Sequence, residues 1–290
     1  MVNPRISVIV RSYNRVGVLC NLLEVLLSQE HDSYEIVIVE QSDQYKKADY
    51  KKLQQLAEDE KINLLTYPRL GGPKARNTGV KNAKGEIILL LDDDDLPASP
   101  HWIQIHDDAY KDEKLIGFTG RHVASKNARC PYLQVMLNFI RRNCMSYSWL
   151  GTPYTFAQFN EDVENVDWLH GTNASIRKEW AVKAGLWDED LKTQDEHSLA
   201  FKLRPYIKDG YRLDFRKEPE VIRQLDIEGG MEKRKFSLLQ EFRNQHQYIT
   251  KIVLRYRPMF TLFYPLLLFW ALIKVGMQAT KRVVNFITGK

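Results

Sequence analysis

The chain predicts an α/β fold with a Rossmann-like, mostly parallel sheet flanked by helices, followed by an amphipathic helical appendage, and three observations carry that expectation. Short β-branched runs alternate with stretches of helical spacing along the N-terminal half. Each run empties into a polar loop, as strands do at the ligand-binding edge of an open parallel sheet. The 290 residues, 44% hydrophobic and 27% charged, suffice for one α/β domain of roughly 200 to 250 residues and a short extension.

Taken in order, Ile6-Ser7-Val8-Ile9-Val10 reads as a buried strand that ends at Arg11-Ser12-Tyr13-Asn14. Val16, Leu19, Leu22, Leu23, Leu26 and Leu27 follow on one helical face. A second strand over 35–39 ends in Glu40-Gln41-Ser42-Asp43, and a polar helix over 46–60 leads to a third strand over 62–66. Gly71-Gly72-Pro73 breaks the chain before a helix over 74–83, with Pro73 suited to its first turn. The strand over 86–91 then delivers four consecutive carboxylates, Asp92 to Asp95, to its C-terminal end. In the second half we expect an amphipathic stretch over 131–142, a polar loop over 147–166, helices over 178–184 and 195–203, and strands over 211–215 and 221–225. The economical division is one domain over 1–228 and a helical, membrane-associating segment over 229–290.

Four adjacent aspartates repel one another and raise one another's pKa unless a cation intervenes. A divalent ion is the expected remedy, and hard oxygen donors on a short turn suit Mn²⁺ or Mg²⁺ together with phosphate oxygens. The competing reading is a solvated acidic turn whose last aspartate caps a helix starting near Ser99.

The segment Ala75-Arg76-Asn77-Thr78-Gly79 through Ala83-Lys84-Gly85-Glu86 to Leu91-Asp92-Asp93-Asp94-Asp95 closely resembles the family 2 glycosyltransferases of the GT-A fold. The opening strand and its Ser-Tyr-Asn loop resemble the same family, as does Gly171-Thr172-Asn173-Ala174-Ser175-Ile176-Arg177-Lys178 on the acceptor side. The resemblance implies that a D-x-D pair holds the metal on a donor diphosphate: Asp92 and Asp94 here, with Asp93-x-Asp95 the competing frame. It implies that Ser12, Tyr13, Glu40, Arg76, Asn77 and Asp92 line the nucleotide-sugar pocket, with a UDP-sugar the favoured donor. Two departures stand out: Glu40-Gln41 where the family often carries two acidic residues, and Arg11 where many members carry proline.

The same resemblance implies an inverting transfer with a carboxylate base at the start of a helix, several residues beyond a turn that reads Gly185-Leu186-Trp187-Asp188-Glu189 here. The matching pair is Asp195-Glu196. Glu196 is the leading candidate, Asp195 the second, and His197 a weaker rival that reads rather as a surface or supporting residue. Trp168, His170 and Asn173 are candidates for acceptor contact, and Arg223 or Gln224 stand where relatives carry a late histidine. The acceptor is expected to be a glycan or lipid-linked glycan. A metal-dependent nucleotidyltransferase would instead place a glycine-rich loop after the first strand, and residues 11–15 contain no glycine. A non-catalytic scaffold is the third reading.

Basic residues exceed acidic ones by only five, too few to indicate a nucleic-acid partner. Three cysteines without C-x-x-C spacing indicate neither a disulfide framework nor a zinc site. No secretory leader is expected. From Arg255 to Lys290 the chain has six basic residues and no acidic one, interleaved with an uncharged run over 259–273 that contains Pro265. That run is short for a spanning helix and suits docking on the inner, cytoplasmic face of a membrane. Packing on its own domain or on a second copy is the alternative.

Overall fold

The computed structural model describes residues 3–124, 144–149, 151–155, 159–224, 227 and 237–288. The stretch over 131–142 lies outside the described residues. An eight-stranded sheet runs in the order β3-β2-β1-β4-β9-β6-β10-β5. Its first half comprises β1 (Ile6–Ser12), β2 (Tyr34–Glu40), β3 (Asn63–Thr66) and β4 (Ile87–Asp92), all mutually parallel where they pair. Helices α1 (Val16–Leu27), α2 (Lys47–Glu58) and α3 (Gly72–Asn82) make the crossovers. Gly72 therefore opens α3, with Gly71 capping it, instead of the pair preceding it.

Beyond β4 the parallel pattern is broken twice. Strand β5 (Asp95–Pro97) runs antiparallel to β10 (Arg212–Arg223), and β9 (Ala174–Arg177) inserts antiparallel between β4 and β6 (Leu115–Ala124). The two strands expected over 211–215 and 221–225 are one strand with an irregularity between Arg216 and Glu220. Helices α4 (Trp102–Ala109), α5 (Lys178–Lys183) and α6 (Glu196–Lys208) complete the layers. A small hairpin, β7 (Met145–Tyr147) with β8 (Pro153–Thr155), stands in the expected loop.

The alternation of side chains along each strand explains why uniformly apolar strands are needed. In β4, Ile87, Leu89 and Leu91 join α1 and α4 on one face, while Ile88 and Leu90 join α3, α5 and α6 on the other. Both faces are dry. Polar residues can leave the core only at the strand ends, which is where Asp92 begins.

The appendage consists of α7 (Leu238–Tyr248), a π-helical turn (Ile249–Val253), α8 (Leu254–Tyr256), a 3-10 turn (Pro258–Phe263) and α9 (Tyr264–Thr288). Pro265 does not break α9, because it sits in the first turn where its missing N–H has no partner to lose. The helix continues well past Ile273, so residues Pro258–Thr280 are long and apolar enough to cross a membrane, unlike the fifteen-residue run read from sequence. Tyr248, Ile249, Ile252, Val253, Leu267 and Ala271 form a third core with Leu191 and Phe201, so the appendage is packed on α6.

Gly85 fits where no side chain can: a Cβ there would lie 2.6 Å from the backbone nitrogen of Ser7 and 2.7 Å from the carbonyl carbon of Ile6. Backbone at β1 cannot give way as a flexible side chain would. Gly85→Ala is expected to destabilise the fold by about 1–3 kcal/mol, the usual cost of overpacking. Urea denaturation measures it, and an unchanged midpoint would refute the close approach.

Candidate active site

The acidic run is held by guanidinium groups from three different elements. Pairing of β5 with β10 puts Arg223 opposite Asp95, and its Nε and Nη2 each donate to the Asp95 carboxylate at 2.9 Å. Thr172 donates to Asp95 at 2.9 Å and accepts the Asp92 amide at 2.9 Å. Arg15, at the entrance to α1, pairs with both Asp93 and Asp94, and Ser12 donates to Asp93 at 2.9 Å. Arg11 reaches Asp92 at 3.3 Å. The like-charge repulsion expected from sequence is thus relieved by arginines, a solution the sequence reading did not include.

Burial alternates along the run, which turns from β4 into β5 at Asp93-Asp94. Asp93 and Asp95 are fully buried, whereas Asp92 and Asp94 are half-buried, and Asp92 lines a cavity. Burial pushes Asp92 up, but the Arg11, Arg76 and Arg223 guanidiniums override it and hold Asp92 at about 2. Burial wins at Asp93, which is raised to about 7 despite Arg15, and it also raises Asp94. One carboxylate oxygen each from Asp92, Asp94 and Asp95 can lie within 4.8 Å of the others. Asp92 and Asp94 each keep an oxygen that no hydrogen-bond donor among the described residues takes up. Such hard oxygen donors fit Mn²⁺ or Mg²⁺. The turn is not a helix cap, because Asp95 lies in β5 and α4 begins only at Trp102.

On the nucleotide side, the Tyr13 ring lies under Arg69, whose Cζ is 4.6 Å from the ring centroid. Glu40 is fully buried; its Oε1 accepts the Ser42 amide at 2.6 Å and its Oε2 has no hydrogen-bond partner among the described residues. Burial raises its pKa. Gln41, which stands where the family often carries a second acidic residue, accepts the amides of Leu70 and Gly71 at 2.9 and 3.2 Å and so fixes the loop into α3. Gly71 needs its freedom there, at φ 87°. Ser12 and Asn77 were expected to line the pocket, but both spend their side chains on the protein. Asn77 donates to the Trp187 carbonyl at 2.8 Å and to Glu189 at 3.1 Å, and accepts the Trp187 amide.

Arg76 is buried, with a cavity beside it that is lined by Arg11, Asp92, Leu90, Leu91 and Gly171. It pairs with Asp195, donates to the Gly171 carbonyl at 3.0 Å and lies 5.3 Å from the Trp187 ring centroid. Asp195, the residue before α6, is committed to that pair. Glu196 opens α6, lines the neighbouring cavity with His170, Leu169 and Trp187, and has no comparable partner among the described residues. Burial, reinforced by the Asp195 charge, raises Glu196 to about 7.

His197 is buried and not a surface residue: Tyr147 is 2.9 Å from its Nδ1, and burial holds it neutral by lowering it to about 3. Trp168 is buried edge-on to His197, and the His170 ring is tilted against His122 with ring centroids 4.3 Å apart. Asn173 corrects an expectation. It is fully buried at φ 50°, its Oδ1 accepts from Trp102 at 2.9 Å, and its Nδ2 donates to the Arg121 and Pro219 carbonyls. Its side-chain polar atoms tie the start of β9 to α4, β6 and the segment at Pro219. Gln224 lends its amide to the Asp94 carbonyl at 3.0 Å, and Arg223 is the Asp95 partner.

The chain is similar to known proteins. An uncharacterised glycosyltransferase of Bacillus subtilis, YwdF, is 35% identical over 123 residues, which cover 39% of this chain and 44% of that protein. The amylovoran biosynthesis glycosyltransferase AmsB of Erwinia amylovora is 34% identical over 95 residues, covering 31% of this chain and 30% of that protein. The chain thus matches less than half the length of these relatives. In solved structures, a mannosyltransferase from Pyrobaculum calidifontis in complex with GDP-Man and Mn²⁺ superposes with a TM-score of 0.60 at 17% identity, covering 99% of this chain and 81% of that one. Staphylococcus aureus TarS 1-349 in complex with UDP-GlcNAc gives 0.53 at 16% identity, covering 83% and 64%. These likenesses establish the GT-A fold. The profile of glycosyl transferase family 2 matches residues 7–184, and the chain belongs to that family.

Proposed function

We propose that the protein is an inverting glycosyltransferase that moves a sugar from a nucleoside-diphosphate donor to an acceptor hydroxyl. One observation carries the reading: a carboxylate raised to about 7, Glu196, opens the helix beside the cavity flanked by Arg11, Arg76 and the ionised Asp92. Asp92 and Asp94, with Asp95 behind them, would hold Mn²⁺ or Mg²⁺, which when bound supplies electrostatic stabilisation of the leaving diphosphate. Glu196 takes the acceptor hydroxyl's proton as the acceptor oxygen bonds to the anomeric carbon and the bond from that carbon to the diphosphate oxygen breaks. Arg76 keeps Asp195 paired, which leaves Glu196 as the base. Tyr13 and Glu40 would meet the nucleobase, with a UDP-sugar favoured on family resemblance.

The appendage supports an acceptor presented at a membrane surface, such as a lipid-linked glycan. Met259, Leu262, Phe263, Leu266, Phe269, Trp270 and Leu272 are exposed, and exposed Trp149 of the catalytic domain lies edge-on to Phe263, 5.9 Å away. The opposite face of α9 packs on α7 through Leu267, Ala271 and Val275, with Tyr264 bonded to His246 at 2.8 Å. Helix α7 carries Gln240, Glu241, Arg243, Asn244 and Gln247, which do not belong in hydrocarbon. A helix so paired suits lying in the interface more than crossing it.

Four outcomes are expected. Mn²⁺ with a matching nucleoside diphosphate should stabilise the wild type by about 2.7 kcal/mol at a hundredfold excess over Kd, and Asp94→Asn should lose that stabilisation in a thermal-shift assay; no effect of metal on the wild type would sink the metal site. Glu196→Gln should lower kcat by about 10²–10⁴-fold. Because the base acts deprotonated and burial keeps its proton on to about 7, the wild-type rate should rise with pH through that value, and a flat profile would exclude Glu196. Finally, the chain should co-sediment with vesicles of phosphatidylcholine and phosphatidylglycerol, and Leu262→Asp with Phe269→Asp should abolish this; retention of binding would rule out the exposed face.

A further inference from the structure

The segment between α5 and α6, residues 184–195, leads directly into Glu196 and contains neither helix nor strand. It passes through left-handed backbone at Gly185, Leu186 and Gln194, at φ 82°, 60° and 61°. For the two non-glycine residues that conformation costs about 1–2 kcal/mol each. A path like this keeps its shape only if its surroundings impose it.

The ties are visible, and Asp188 is their centre. Its amide is held by the Ser198 hydroxyl at 3.0 Å, and its Oδ1 by Lys202 at 2.6 Å, both from α6. Its Oδ2 accepts from two residues of the appendage, Arg255 Nη1 at 2.8 Å and the Tyr256 hydroxyl at 2.6 Å. Arg255 also forks onto Asp190, at 3.1 and 2.9 Å, and Lys251 donates to the Asp190 carbonyl at 2.7 Å. Hydrogen bonding to Arg255 holds Asp190 at about 2, so the pair stays charged across neutral pH. A planar guanidinium fixing two carboxylates is a directional restraint that a lysine cannot reproduce.

We infer that Arg255 and Tyr256 of the appendage are positioning residues for Glu196, clamping the turn at Asp188 and Asp190 so that the helix bearing the base is held in place. The appendage is then part of the catalytic unit as well as a docking element. This rests on the assignment of Glu196 as base, and the restraint itself can be measured without that assignment.

In the full chain, hydrogen exchange of the backbone amides over 186–199 should accelerate about tenfold or more in Arg255→Ala and in Tyr256→Phe, while Arg243→Ala, on the exposed face of α7, leaves it unchanged. Hydrolysis of a nucleotide-sugar donor with Mn²⁺ should lose about tenfold or more in kcat, with the donor KM held within about twofold. Arg255→Lys should recover part of kcat and Arg255→Ala none. Unaltered exchange over 186–199 in both Arg255→Ala and Tyr256→Phe overturns the clamp, and so does a loss that appears in KM with kcat intact. If the wild type turns over no donor, the assignment of the base fails on its own account, and the exchange data alone decide the clamp.

Discussion

The pairing of buried carboxylates with guanidinium groups is the interaction on which this molecule depends. Four aspartates leave β4 in succession, and two of them are wholly removed from water. An ionised carboxylate placed there alone would cost several kcal/mol. Arg223 and Arg15 make Asp95 and Asp93 tolerable, and each arginine comes from an element that must be correctly folded to reach them. Strand register and site assembly are therefore one event: pairing of β5 with β10 puts Arg223 opposite Asp95, next to the half-buried Asp92 and Asp94.

Much of the first half was legible because its information is local. The apolar runs of β1, β2 and β4, the glycines at the start of α3, and the acidic run itself all lie within a few residues of the features they specify. The roles of individual polar residues were less legible. Asn77 and Asn173 have the chemistry of ligand-binding residues, yet both are consumed by backbone groups far along the chain, Asn77 at Trp187 and Asn173 at Arg121 and Pro219. Arg15 carried no signal beyond its charge, and the Arg223 contact spans 128 positions. Sequence spacing reports neighbours along one helix or strand, and these contacts are made between elements.

The two carboxylates at the start of α6 show how environment separates identical chemistry. Asp195 and Glu196 are adjacent, and either could be a base by composition alone. Arg76 neutralises the first from α3, while the second is left with burial and its neighbour's charge, which keep its proton loosely available near neutrality. Helix α3 thus acts on the far side of the cleft through one side chain.

The third core, in which Leu191 and Phe201 meet Tyr248, Ile252 and Leu267, bears on how the chain can be divided. A cut near residue 228, where sequence alone would place a domain boundary, strips the cover from two apolar side chains, removes both cations from Asp190 and leaves Asp188 with Lys202 alone. Shortening the chain to gain solubility would create a sticky surface beside the reaction centre. Detergent or mutation of the outward side chains of α9 is the gentler route to a tractable preparation.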